Sequence, residues 1–182
     1  MKLVTALITV CVLSAAPALA QDSTSGPPQW YRDHIVFMTR DGGHWQAPNA
    51  EYSESNPYTH YGIRWTVMPG QSGMTGRLFG VREDGGEDEF WQFREFWDTG
   101  RHEARVFQWG LGGAVGEGEM IRYGDRFSTI RQTFSWPNGA RTEGGHIVRT
   151  PDDATYIAEQ YRVNDQTAQW EFEHALTFRR TN

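Results

Sequence analysis

The chain has 182 residues, with 17 basic and 23 acidic side chains and a net charge of −6. Its one cysteine is Cys11 and its one lysine is Lys2. Beyond residue 20 there is thus no disulfide, thiolate nucleophile, cysteine metal site, lysine Schiff base or phosphate-loop lysine.

The first segment reads as a secretory signal peptide. Lys2 precedes an apolar run, Leu3 to Leu13, and Ala18-Leu19-Ala20 before Gln21 is a small-x-small cleavage site. The run is too short for a membrane helix. Cleavage after residue 20 leaves 162 residues, with 16 arginines against 23 acids and a net charge of −7. The expected location is the periplasm or the extracellular space. An acidic surface without lysine argues against a nucleic-acid partner. No later apolar run reaches about 18 residues, so no stable membrane insertion is expected.

Residues 21–28 are polar and Pro/Gly-rich, a flexible leader. Residues 29–182 read as one domain. Gln29–Arg40 fits either a helix or a strand: Trp30, His34 or Ile35 and Met38 make a helical stripe, while Ile35–Met38 is a short apolar run. Asp41-Gly42-Gly43 ends it, and His44–Pro57 reads as polar and irregular.

Nine strand-like segments follow: Tyr61–Met68, Thr75–Arg82, Glu89–Trp97, His102–Trp109, Val115–Arg122, Phe127–Ser135, Arg141–Arg149, Thr155–Val163 and Gln169–Arg180. Turn chemistry separates them, as at Asp84-Gly85-Gly86, Pro137-Asn138-Gly139 and Asn164-Asp165. Composition agrees, since 10 Phe, 8 Trp and 7 Tyr outnumber the aliphatics and suit a half-buried pleated surface. The reading is all-β: a single antiparallel, hairpin-connected, closed or nearly closed barrel of about 8–10 strands. Closure removes the exposed edges that such a sheet otherwise carries.

Within Gln169–Arg180, Trp170, Phe172, His174, Leu176 and Phe178 share one face. His174 is the polar member. It is either a satisfied core histidine or an imidazole turned to a ligand, including a haem. Trp91, Phe93, Glu95 and Trp97 share a face of the third segment. A three-residue loop, Thr99–Arg101, sets Glu95 against Arg105, Phe93 against Phe107 and Trp91 against Trp109, one charge pair and two aromatic pairs. The charge pair then serves as a strut or as the polar end of a pocket.

Other motifs carry little chemistry. Gly110, Gly112, Gly113, Gly116 and Gly118 lack a following Gly-Lys-Ser/Thr, so they read as a portal loop running into a glycine-bearing strand. Gly70-Gln71-Ser72-Gly73 has its glycine too early for a nucleophile elbow, and His102-Glu103 lacks a second histidine. Glu83, Asp84, Glu87, Asp88 and Glu89 lack EF-hand spacing and read as a solvated hairpin tip. No metal site is expected.

Gly43-His44-Trp45 resembles the Gly-x-Trp signature of the calycins, the lipocalin-like β-barrels. The resemblance implies that Arg179 or Arg180 packs over Trp45, a favourable cation–π contact. Gly76-Arg77-Leu78-Phe79-Gly80, Phe90–Trp97 and Gln132-Thr133-Phe134 look like a group of exported bacterial proteins of unknown function. His174-Ala175-Leu176-Thr177-Phe178-Arg179 is similar in outline to the haem-ligating region of the nitrobindin-like calycins. That group's Gly-x-Trp-x-Gly-x-Gly opening is absent, because Gln46-Ala47-Pro48-Asn49 follows Trp45.

These readings lead to an exported barrel that binds a small apolar or aromatic ligand, with no cofactor. The expected lining residues are Trp91, Phe93, Glu95, Arg105, Phe107, Trp109, Phe172 and His174. The alternatives are a barrel enzyme of the isomerase, cyclase or hydrolase type using Glu95 or His174 as general base, a haem barrel with His174 as axial ligand, and a filled structural or interaction module.

Overall fold

The computed structural model describes residues 26–110 and 112–181; residues 1–20 and most of the leader lie outside the described residues. Gln29–Thr39 is a helix, α1. Tyr31, Ile35 and Met38 recur at helical spacing and are all buried. A 3₁₀ turn, Arg40–Gly43, reverses the chain through Asp41, Gly42 and Gly43 at φ of +56°, +84° and +66°. Gly43 tolerates no side chain, because a Cβ there would collide with the Trp65 carbonyl.

Ten antiparallel strands then close into a barrel. They are β1 (His44–Pro48), β2 (Tyr58–Val67), β3 (Gly73–Arg82), β4 (Glu87–Asp98), β5 (Glu103–Gly110), β6 (Val115–Arg122), β7 (Phe127–Ser135), β8 (Arg141–Asp152), β9 (Thr155–Val163) and β10 (Trp170–Arg180). Each strand pairs with its chain neighbours, and β1 closes the ring on β10 through Trp45↔Arg180 and Gln46↔Arg179. The all-β barrel with a short N-terminal helix is therefore the observed architecture. The stretch read as irregular, His44–Pro57, is corrected in part: its first five residues form β1, with Trp45 and Ala47 buried. Five residues hold too few alternations for periodicity to register.

The register between β4 and β5 is a second correction. Asp98 pairs with Glu103, so the loop is the four residues Thr99–His102. The Asp98 Oδ1 accepts hydrogen bonds from the Gly100 and Arg101 N–H groups at 2.9 and 3.1 Å, and His102 adopts a φ of +56°. One extra loop residue turns every β5 side chain to the other face. Glu95 lies opposite Val106, Phe93 opposite Gln108 and Trp91 opposite Gly110. Arg105, Phe107 and Trp109 point outward. The expected Glu95–Arg105 pair does not form; Arg105 instead pairs with Glu103 at 3.0 Å.

Helix α1 closes one end of the barrel. Trp45, only 1% exposed, donates its indole N–H to the Met38 carbonyl at 2.9 Å. Arg180 covers the ring, its guanidinium carbon 4.2 Å from the centroid, and donates to the Phe37 and Arg40 carbonyls at 2.7 and 3.0 Å. The arginine over Trp45 is thus Arg180 and not Arg179. Trp97 meets Trp30 and Tyr31 with ring centroids 6.4 and 6.0 Å apart. No helix among the described residues is long and apolar enough to cross a membrane.

Candidate functional site

A cavity of 890 Å³ runs through the barrel interior and opens beside the β7–β8 and β9–β10 loops. Its walls are apolar and aromatic: Ile63, Trp65, Leu78, Trp91, Phe93, Phe134, Leu176 and Phe178. Three of these rings lie across glycines. A Cβ at Gly76 would stand 2.6 Å from the Trp65 ring, at Gly110 2.6 Å from Trp91, and at Gly116 2.8 Å from Phe134. Bare backbone on the neighbouring strand lets each ring lie flat against the wall instead of crossing the lumen. The glycines read as a portal loop therefore divide. Gly112 and Gly113 are loop residues with positive φ, while Gly110 and Gly116 are ring platforms in β5 and β6.

Glu95 lies deep in this space and is 5% exposed. Its Oε2 is 2.9 Å from His34 Nε2, which α1 presents from the closed end. Its Oε1 has no hydrogen-bond partner among the described residues. Tyr31 and Tyr156 stand near enough to feel its charge. Burial raises both phenols well above the ordinary tyrosine range, and the Glu95 carboxylate raises them further. A recess of 340 Å³ between α1 and strands β6–β8 borders the other side of His34.

A polar row crosses the opposite wall. His146, Gln160 and His174 are direct cross-strand neighbours on β8, β9 and β10, and all three line the cavity. Burial, with the nearby His174 adding to it, pushes the His146 imidazole down to about 4, and a hydrogen bond with Gln160 opposes the shift. Gln108 and Gln132 also line the cavity and are 4% and 1% exposed. Both side-chain polar atoms of Gln132, together with Trp65 Nε1 and the Tyr31 hydroxyl, are buried without a partner among the described residues. Such orphans cost about 1–3 kcal/mol each.

Of the eight residues expected to line a pocket, Trp91, Phe93, Glu95 and His174 surround the cavity. The β5 residues Arg105, Phe107 and Trp109 are on the outer surface, where Phe107 stacks between Phe96 and Trp109. Phe172 is also outside and 58% exposed. The cause is a β-bulge: Phe172 pairs with Tyr161 but His174 pairs with Gln160, so Glu173 is the extra residue. A bulge reverses the alternation beyond it, and Phe172 packs on Tyr161 outside the barrel, with centroids 5.6 Å apart.

His34, Gln108, Gln132, His146 and Gln160 escaped the sequence reading. Alternation within β8 puts His146 on the face of Gly144 and Val148, which is a usable signal. His34 offered only an alternative place in the helical stripe, since its role depends on where the helix docks. Among the described residues no group of three or more His, Cys, Asp or Glu is placed to hold a metal ion. No protein-family model matches the chain, and no curated protein matches it.

Proposed function

We propose that the chain is an exported, calycin-type carrier of a small apolar or aromatic molecule, working in the periplasm or outside the cell. The observation that carries this reading is the 890 Å³ cavity walled by aromatic rings. A closed barrel with one stoppered end and a few convergent polar groups is the form that small-molecule pockets take. The unpartnered amide of Gln132 and indole N–H of Trp65 add support, because a ligand can satisfy them. Arg180 over Trp45 supports the calycin likeness, and the signal-peptide pattern over residues 1–20 supports export.

The test is titration with N-phenyl-1-naphthylamine, a neutral apolar dye, followed through tryptophan quenching. One saturable site is expected in the natural sequence. Ala158→Trp, which places an indole in the lumen, abolishes it while the barrel still melts cooperatively. Equal binding by both proteins places the dye elsewhere and overturns the reading.

A second reading, a barrel enzyme with Glu95 or His174 as general base, rests on Glu95 being held by His34 in apolar surroundings. Its check is deuterium exchange at the α-carbon of bound 2-tetralone. Acceleration that Glu95→Gln or His174→Gln removes favours the enzyme; exchange at the solvent rate leaves the carrier. A haem ligated by His174 suits the site less well. Cationic neighbours favour haem propionates, and the one arginine that lines the cavity among the described residues, Arg162, is already held by Glu171 at 2.7 Å.

A further inference from the structure

The carrier reading does not say what charge the cargo bears, and the charged residues around the cavity do. Glu95 lies at the deep end. Glu143, Asp165, Glu171 and Glu173 lie around the mouth, against Arg162 alone among the described residues. Two of the mouth carboxylates are already matched: Glu143 by Arg131 at 2.6 Å, and Glu171 by Arg162 at 2.7 Å and Asn164 at 2.6 Å. Asp165 and Glu173 have no ion-pair partner among the described residues. Among the described residues Arg162, at the mouth, is the one lysine or arginine that lines the cavity. His146, pushed down to about 4, carries no charge at neutral pH.

The consequences for a ligand depend on its sign. An anion entering this space loses its hydration and meets no fixed positive charge, which is strongly unfavourable. A cation meets the free Oε1 of Glu95 and the faces of Trp65, Trp91 and Phe93. Aromatic faces attract ammonium groups through the ring quadrupole, most strongly when water is excluded. The unpaired carboxylates at the mouth draw cations inward over a distance of about one Debye length. The unpartnered Gln132 amide, 1% exposed, adds a neutral acceptor inside the same barrel.

We propose that the cavity selects an organic cation: an apolar or aromatic amine whose ammonium group lies at Glu95 and whose hydrocarbon body lies against the tryptophan and phenylalanine walls. Glu95 is the specificity-determining residue, and Asp165 and Glu173 steer the ligand to the mouth. The inference rests on the carrier reading and narrows it from any apolar molecule to one charge class.

The experiment compares three probes of one skeleton on the full protein: 1-naphthylethylamine, 1-naphthaleneethanol and 1-naphthaleneacetate, each titrated by calorimetry at neutral pH. The amine is expected to bind at least about tenfold tighter than the acetate, with the alcohol between them. Glu95→Gln lowers amine affinity by about tenfold and leaves the alcohol within about twofold. If Glu95→Gln does not fold, the exposed pair Asp165→Asn and Glu173→Gln replaces it, and the amine's affinity then loses much of its salt dependence. Acetate binding as tightly as the amine, or an amine affinity untouched by these variants, overturns the inference while the carrier reading stands. Failure of all three probes to bind folded protein overturns both.

Discussion

The two ends of the barrel are built on opposite terms. At the closed end α1, Trp45 and Arg180 form a packed stopper. The indole N–H is bonded, the guanidinium covers the ring and donates to main-chain carbonyls, and Trp45 and Tyr31 are at most 1% exposed. Toward the open end the walls are aromatic and hollow, and polar atoms of Gln132 go unpaired. The difference teaches where packing is concentrated and where space is left. Close burial at one end, even with the Tyr31 hydroxyl left unpaired among the described residues, offsets an unfilled, undersatisfied interior at the other.

The comparison breaks first at the stopper. Trp45→Ala removes a fully buried ring and the surface on which Arg180 lies, and it should cost about 3–5 kcal/mol in urea denaturation. A loss under about 1 kcal/mol would mean that the closed end does not anchor the barrel.

The next effect lies in the cavity wall. Gly110→Ala puts a methyl group 2.6 Å from the Trp91 ring, so the indole must tilt into the lumen. The expected cost is about 1–3 kcal/mol of stability, with weaker binding of the naphthylamine dye. Unchanged dye affinity would show that Trp91 does not bound the site.

A third effect is a pH dependence. The His146 imidazole is lowered from 6.5 to about 4 in the folded protein. Between these values the unfolded chain binds more protons than the native one. Stability from this group is therefore complete above pH 6.5 and is lost as the pH falls toward 4. Denaturation midpoints measured across this window should fall with acidification, and His146→Gln should flatten that part of the slope. A variant with an undiminished slope would assign the dependence to other groups.

How much of this was legible in the sequence follows from the range of each signal. Local signals read well. Turn dipeptides and aromatic-rich alternation are short-range features, and they delimited the strands from β2 to β10. The resemblance carried by Gly43-His44-Trp45 also implied that Arg179 or Arg180 covers Trp45, and Arg180 does. Features set by one-residue events did not read. The four-residue loop Thr99–His102 differs from a three-residue loop by one φ-positive histidine, yet it moved Arg105, Phe107 and Trp109 to the outside. The bulge at Glu173 did the same to Phe172. Contacts between distant elements that no signature carries left no trace. His34 and Glu95 are 61 residues apart and meet only because α1 docks on the end of a closed barrel.

The central claim is that the space between Glu95 and His174 is occupied by a small molecule when the protein works. Crystals grown with saturating N-phenyl-1-naphthylamine test it most directly. The account predicts density for one dye molecule inside the barrel, against Trp65, Trp91 and Phe93, with the strands unmoved. A lumen filled by its own side chains, or dye only on the outer aromatic surface of Phe96, Phe107 and Trp109, would contradict it.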